Sequence, residues 1–125
     1  MTRRKSKLKF NTAGGVIVMP RRMLESDAYR DLSPQAKTLM ILMQLHWRLD
    51  KPISFGIREA AEKIPCALNT AVRAFKQLKS HGFISCANES LFNSRTGSKT
   101  REWKLSWMPY ADQLPSDDWA VWRPP

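Results

Sequence analysis

Residues 56–84 read GIREAAEKIPCALNTAVRAFKQLKSHGFI, and the order of helix and turn signals in this stretch decides the predicted fold. A helical pattern over 57–64 stops at Pro65, because proline lacks the N–H that a helix interior needs. A second helical pattern over 68–81 ends at Gly82, the residue type that most often follows a helix. The stretch therefore predicts two short helices joined by a tight turn, with a β-prone segment directly after them.

The second of these helices has two distinct faces. At about 100° per residue, its small and apolar side chains share the side suited to packing on a core: Ala71, Ala74, Phe75 and Leu78. The opposite side carries a polar stripe: Asn69, Arg73, Lys76 and Ser80, flanked by Thr70 and Gln77. Asparagine can bind the adenine edge and arginine the guanine edge, whereas lysine more often contacts phosphate. The stripe predicts a helix that reads the DNA major groove; the alternative is an ordinary solvated helix face.

A hairpin is predicted after the second helix. Residues 83–87 and 100–107 are β-prone, and the intervening 88–99 are rich in Asn, Ser, Thr and Gly, as hairpin loops are. The alternation of the return strand points its large side chains to one side: Trp103, Leu105 and Trp107. Basic residues in the hairpin and on the first helix of the pair are predicted DNA contacts: Arg95, Lys99, Arg101 and Arg58. The alternative for the hairpin is an ordinary solvated loop.

The region 54–84, with its REAA, NTAVRA and HGFI elements, resembles small winged helix-turn-helix proteins of bacterial prophages and plasmids. The EWKL segment at 102–105 is similar to the return strand of that group, and the resemblance covers roughly residues 13–106. It implies an α+β winged-helix domain, with a three-helix core and a β-hairpin wing. It also implies a DNA-binding regulator or a replication-associated protein.

The same resemblance implies that Asn69, Thr70 and Arg73 are the reading residues at the start of the second helix. The turn of that family usually offers Ser or Thr as the helix cap, whereas this chain has Cys66 and Ala67 before Leu68. A missing cap costs up to ~1 kcal/mol. Capping of the helix by Asn69, which would remove it from base contact, is therefore an open alternative.

The charge distribution favours a polyanionic partner. The chain has a net charge of +10, and residues 1–104 hold 20 basic against 8 acidic residues, a net of +12. Residues 1–12 should form a disordered arm, because five basic residues within the first nine leave little apolar surface to bury. Arg3, Arg4 and Lys5 of this arm are predicted to contact DNA, and a solubilising tail is the alternative.

The region before the helix pair predicts a strand over 16–19, a short helix over 21–32 and a long helix from Pro34 to about residue 49. Ser33 suits the cap of the long helix. One of its faces is suited to the core: Ala36, Leu39, Met40, Met43 and Trp47. A second apolar face comprises Ile41, Leu45 and Leu49. Either Trp119 and Trp122 of the C-terminal tail or a second copy of the chain should cover it.

Other function classes lack their signatures. No catalytic motif occurs, so no enzymatic activity is expected. The two Cys and two His are scattered, so no metal site is expected, and no cofactor or small-molecule ligand is indicated. No run of about 18 apolar residues occurs, so no transmembrane helix is expected. These features predict a cytoplasmic, nucleoid-associated protein.

The sequence thus predicts one domain over 13–107 and an aromatic-rich extension over 108–125 that packs on the domain or on a partner. The predicted function is sequence-selective binding of double-stranded DNA, as a transcription regulator on a mobile element. One alternative is a plasmid or phage replication or excision factor. Another is a winged helix that serves as a protein-interaction module.

Overall fold

The computed structural model describes residues 11–87, 92–93, 98–99 and 101–125, and these ranges contain five α-helices and five short strands. The helices are α1 (Arg21–Leu24), α2 (Asp27–Arg30), α3 (Pro34–Gln44), α4 (Ile57–Lys63) and α5 (Leu68–Ser80). The strands are β1 (Ile53–Ser54), β2 (Ile84–Cys86), β3 (Phe92–Asn93), β4 (Ser98–Lys99) and β5 (Glu102–Leu105). A 3₁₀ helix spans Asp118–Val121. The expected α+β class is confirmed.

The strands form a small antiparallel sheet in the order β1-β5-β2. In this sheet Ile53 lies opposite Trp103, and Ile84 lies opposite Leu105. β3 and β4 form a separate antiparallel pair between β2 and β5 in the chain, with Phe92 opposite Lys99. The predicted loop over 88–99 is therefore wrong at these two strands, because backbone pairing outweighs a turn-like composition. The arrangement is compatible with a winged helix.

The core lies where α3, α4 and the sheet meet α5. Four apolar residues of α3 are buried there, as the helical spacing predicts: Ala36, Leu39, Met40 and Met43. Ala71 and Ala74 on α5 are also buried, and their small side chains allow neighbouring helices to approach closely. Trp103 and Leu105 of β5 are buried, and so is Trp107, although the strand ends at Leu105 rather than at the predicted residue 107. The buried face of α5 therefore leaves its opposite face turned to solvent.

Helix α3 ends at Gln44, five residues before the predicted end at residue 49. The chain after it turns toward the C-terminal region, where Trp47 Nε1 donates a hydrogen bond to the Pro109 carbonyl at 3.1 Å. The backbone N–H of Ala111 also donates to the Leu49 carbonyl. The backbone N–H groups of His46 and Trp47 donate to the carbonyls of Met43 and Gln44, so the helix ends in a tighter turn. The two long-range bonds then hold the segment after this turn against the C-terminal region.

The predicted strand over 16–19 is wrong, because no neighbouring strand pairs with it among the described residues. The side chain of Gln44 takes the partner's place. The Val18 N–H donates to Gln44 Oε1 at 2.8 Å, and Gln44 Nε2 donates to the Val18 carbonyl at 2.9 Å. The segment is thereby held in an extended conformation beside α3.

The single short helix predicted over 21–32 is instead two one-turn helices, α1 and α2. Ser26 separates them, since its Oγ donates to the Met23 carbonyl at 2.6 Å and accepts from the Tyr29 N–H at 3.1 Å. A serine side chain that bonds the backbone in this way offers an alternative to continuous helix.

The C-terminal extension packs on the same chain. Trp119 is 3% exposed, and its 3₁₀ helix contacts α2. The Asp117 N–H donates to the Ser106 carbonyl at 2.9 Å, and the Arg22 guanidinium lies 4.8 Å from the Trp119 ring centroid. Gly82 has a φ of +84°, and a Cβ there would lie 2.8 Å from the Asp118 backbone. The extension therefore approaches the end of α5 so closely that only glycine fits.

Candidate nucleic-acid interface

The solvent-facing side of α5 is the candidate interface. Asn69, Arg73 and Lys76 are exposed on it, and Thr70 is half-buried beside them. Arg73 Nη2 donates to Thr70 Oγ1 at 3.3 Å, which orients the guanidinium along the helix. The sequence LNTAVRAFKQLKS of α5 contains three basic residues and no acidic residue, so the field in front of this face is positive.

The start of α5 resolves the alternative for Asn69. The N-cap residue is Ala67, and no side chain bonds the free amides there. Asn69 lies inside the first turn and is exposed, so the alternative that it caps the helix is wrong. Arg58 of α4 is also exposed and borders a small hollow that reaches Leu68, so it lies near the same end of α5.

Two predicted contacts are engaged within the fold instead. Gln77 is half-buried, and its Oε1 accepts a hydrogen bond from the Ser33 N–H at 2.8 Å, at the start of α3. Ser80 Oγ donates to the Gln77 carbonyl at 3.1 Å and lies 2.9 Å from His81 Nδ1. Both side chains thus stabilise the end of α5 and its contact with α3, which leaves Asn69, Arg73 and Lys76 as the exposed part of the polar stripe without such bonds to the rest of the fold.

A cleft lies between α5, the β1–α4 connection and the start of β5, and we call it the cationic cleft. Its volume is about 640 Å³. Three basic side chains and three aromatic ones line it: Lys76, Lys79, Arg101, Phe55, Phe75 and Trp103. Lys79 was not among the predicted contacts, although its position three residues after Lys76 places both on one side of α5. The cleft thus joins the exposed face of α5 to the base of the hairpin.

The remaining predicted contacts lie in three parts of the chain: before β5, in β4, and outside the described residues. Arg101 is exposed at the foot of β5. Lys99 belongs to β4, where its backbone pairs with Phe92. Arg95 in the hairpin, and Arg3, Arg4 and Lys5 in the arm, lie outside the described residues. The structure therefore brings together Asn69, Thr70, Arg73 and Lys76 on one helix, with Arg58 at one end and Arg101 across the cleft.

Comparison with known proteins adds no relative: no family model matches the chain, and no curated protein or solved structure is significantly similar to it. Within the described ranges, no helix is both long and apolar enough to cross a membrane. The same ranges hold no group of three or more His, Cys, Asp or Glu side chains placed to bind a metal ion. The functional inference therefore rests on the geometry of the candidate interface.

Proposed function

We propose that this chain is a winged helix-turn-helix protein that binds double-stranded DNA with sequence selectivity, and that α5 is its reading helix. The observation that carries the proposal is the division of α5 into a buried apolar face and an exposed face with Asn69, Arg73 and Lys76. A major groove about 12 Å wide admits one α-helix, and amide and guanidinium groups match the edges of adenine and guanine.

The cationic cleft supports the same assignment. With α5 in a major groove, the adjacent sugar–phosphate backbone would pass between α5 and the hairpin. Lys76 and Arg101 face this path from its two sides. Phosphate contacts of this kind position a protein on the duplex, and the bases in the groove then decide selectivity.

Selection of bound duplexes from a random pool is the test of the proposal. We expect a defined consensus, with binding to the selected duplex at least ~1,000-fold tighter than to a scrambled one of equal length. Equal affinity for both duplexes would refute sequence selectivity, and no binding at low salt would refute DNA binding altogether. Footprinting on the source genome then separates promoters, which indicate a transcription regulator on a mobile element, from origins or attachment sites, which indicate replication or excision.

The basic arm should add affinity without selectivity. Deletion of residues 1–9 removes five basic side chains, which can release up to about five counterions from a duplex. We expect weaker binding to all duplexes and a shallower slope of log affinity against log salt concentration. An arm of the same length with these five residues changed to glutamine should behave like the deletion; an unchanged slope for both would show that the arm does not contact DNA.

A second copy of the chain is the proposed occupant of an exposed apolar face. This face comprises the extended segment held by Gln44 and the outer side of α3 and its continuation: Val16, Ile17, Val18, Ile41, Leu45 and Leu49. Val16 is 55% exposed and Leu45 is 61% exposed. Residues 11–20 also carry no charge, in a chain whose net charge is +10. Contiguous exposed apolar patches larger than a few hundred Å² commonly mark interaction sites.

The geometry of α3 favours a two-fold dimer over another partner. Helix α3 packs on α5 with one side and presents the apolar face on the other. Packed helices lie about 8–10 Å apart, so two copies joined through α3 would place their α5 helices about 24–30 Å apart. Half-sites in successive major grooves lie about 34 Å apart, so the two spacings are similar. The tail leaves this face uncovered, because Trp119 packs against α2 instead.

Substitution Leu45→Glu tests this dimer. Because Leu45 is 61% exposed within one chain, the variant should fold normally by circular dichroism. Light scattering should show a fall in mass from dimer to monomer. Binding to a duplex with two half-sites should weaken about tenfold, since joining two sites raises avidity. The control Val121→Glu introduces the same charge at another exposed aliphatic position and should remain dimeric. A monomeric wild type, or a dimeric Leu45→Glu variant, would contradict the proposal.

A further inference from the structure

The floor of the cationic cleft is aromatic. Phe75 and Trp103 stack with their ring centroids 5.4 Å apart and their planes at 26°, and Phe55 lies 6.4 Å from Phe75. Trp103 Nε1 donates to the Phe55 carbonyl at 3.3 Å, so the polar atom of the indole is already satisfied. Val72 and Ile57 add apolar walls. These rings are 2–6% exposed, so a ligand that enters the cleft meets an apolar base made of Val72, Ile57 and the few accessible ring atoms.

The rim of the same cleft is positively charged. Lys76 lies on its α5 side and Arg101 on its β5 side, and no residue that lines the cleft is acidic. Opposite charges near a partly enclosed, apolar surface attract more strongly than they do in open water. The rim therefore favours an anionic group, which the guanidinium of Arg101 can bind in a bidentate manner if that group is a carboxylate.

Contact with a DNA backbone does not by itself account for this floor. Phosphates are bound by donors at a surface, and an aromatic floor offers them no partner. A volume of about 640 Å³ lies within the range of small-molecule sites, which are mostly apolar and contain a few convergent polar groups. We propose that the cationic cleft binds a small organic anion, in which an aromatic body occupies the floor and a carboxylate lies at the rim.

Such a ligand would compete with DNA for Lys76 and Arg101, and this consequence rests on the proposed DNA binding. The binding of the ligand to the cleft does not depend on DNA binding. A small molecule at this position would couple the release of the protein from its target to the concentration of an aromatic acid. The binding experiment below contains no DNA, so its failure is distinguishable from a failure of the proposed function.

The test compares three probes that share one ring system: naphthoate, naphthalenemethanol and naphthylmethylammonium. Each is titrated into the full-length protein by calorimetry, and amide chemical shifts are recorded by NMR. We expect naphthoate to bind and to shift the amides of α5, β1 and the start of β5. The neutral alcohol should bind roughly tenfold more weakly, since one charge-assisted hydrogen bond contributes about that factor. The cation should not bind measurably.

Two variants test the floor and the rim separately. Val72→Phe fills the floor and should abolish naphthoate binding. Lys76→Gln should weaken naphthoate binding roughly tenfold and leave the alcohol unaffected. The control Lys63→Gln removes a lysine that pairs with Glu59 outside the cleft, and it should bind naphthoate like the wild type.

Three results would overturn the proposal. The first is the absence of naphthoate binding at millimolar concentration. The second is equal binding of all three probes, which would show that the rim makes no contribution. The third is that naphthoate shifts amides outside the cleft of the wild-type protein. This readout needs no variant, so it decides the matter even if Val72→Phe fails to fold. If a short duplex shifts the cleft amides and naphthoate shifts none, the cleft contacts only the phosphate backbone of DNA and does not bind a small anion.

Discussion

Substitution Trp119→Ala should lower the free energy of unfolding by about 3–5 kcal/mol, the usual loss when a large buried aromatic side chain is removed. Trp119 is 3% exposed in the C-terminal extension. The loss in the free energy of unfolding should lie at the upper end of this range, because the substitution also removes three specific contacts. These are the hydrogen bond from Trp119 Nε1 to Asp117 Oδ1 at 3.1 Å, the contact with the Arg22 guanidinium and the packing on α2.

Urea denaturation followed by far-UV circular dichroism measures this loss without relying on tryptophan fluorescence. The matched control is Val121→Ala on the same 3₁₀ helix, where the side chain is 79% exposed. That control should change stability by no more than about 0.5 kcal/mol. If Trp119→Ala unfolds at the same urea concentration as Val121→Ala, the extension is not part of the folded unit.

Arg73→Ala should weaken binding to the selected duplex by about 1–3 kcal/mol, or roughly 5- to 150-fold, and relax the preference at one base pair. Arg73 is exposed near the middle of α5, and its bond to Thr70 holds the guanidinium in a defined direction. A preoriented guanidinium can donate two parallel hydrogen bonds to guanine. Affinity for a scrambled duplex should fall much less, because that complex uses charge alone.

Two further variants separate base reading from charge. Arg73→Lys keeps the charge and loses the planar fork, so it should retain the salt dependence of the wild type but lose the same base preference. Arg21→Ala removes one charge from α1, where Arg21 pairs with Glu25, and should bind like the wild type. Fluorescence anisotropy at several salt concentrations distinguishes these results. An unaltered base preference in both Arg73 variants would show that α5 does not read the duplex through this residue.

The extension also packs against the end of the proposed reading helix. His81 follows α5 directly, and its ring stacks on Trp122 with centroids 4.3 Å apart, while its Nε2 lies 2.8 Å from Asp31 Oδ2. Gly82 accepts the close approach of the 3₁₀ helix. Loss of these contacts would loosen the last turn of α5, and with it the orientation of the exposed face. We therefore expect Trp119→Ala to weaken DNA binding as well, at temperatures where the variant remains folded.

Local signals account for the parts of the fold that could be predicted. Pro65 and Gly82 lie at helix ends, and Ser33 accepts a hydrogen bond from the Ala36 N–H at 3.1 Å at the start of α3. Helix boundaries set by proline, glycine and capping residues depend on a few neighbouring residues, so α4 and α5 were located to within a residue or two. The exposed positions of Asn69, Arg73 and Lys76 follow from helical periodicity in the same way.

The errors lie where distant residues compete with local preference. The segment 16–19 is β-prone, but a strand needs a partner, and Gln44 provides one pair of hydrogen bonds instead. The predicted end of α3 is wrong by five residues, and the segment after Gln44 is held by a bond from Trp47 to Pro109, 62 residues away. Gln77 lies in the predicted polar stripe, but its side-chain Oε1 accepts a hydrogen bond from the Ser33 N–H at the start of α3. None of these partners can be identified from spacing along the chain.

The sequence by itself thus determined the α+β class, the helix pair and the polar stripe on α5, because each depends on contacts within a few residues. Only the tertiary structure decided that the extension packs on α2 and the end of α5, and that Ile41 and Leu45 remain exposed. It also decided the cationic cleft, which joins β1, α5 and β5 from separate parts of the chain. Burial and cleft formation depend on which elements pack together. That packing is determined by the free energy of the whole core and not by the sequence pattern of any one segment.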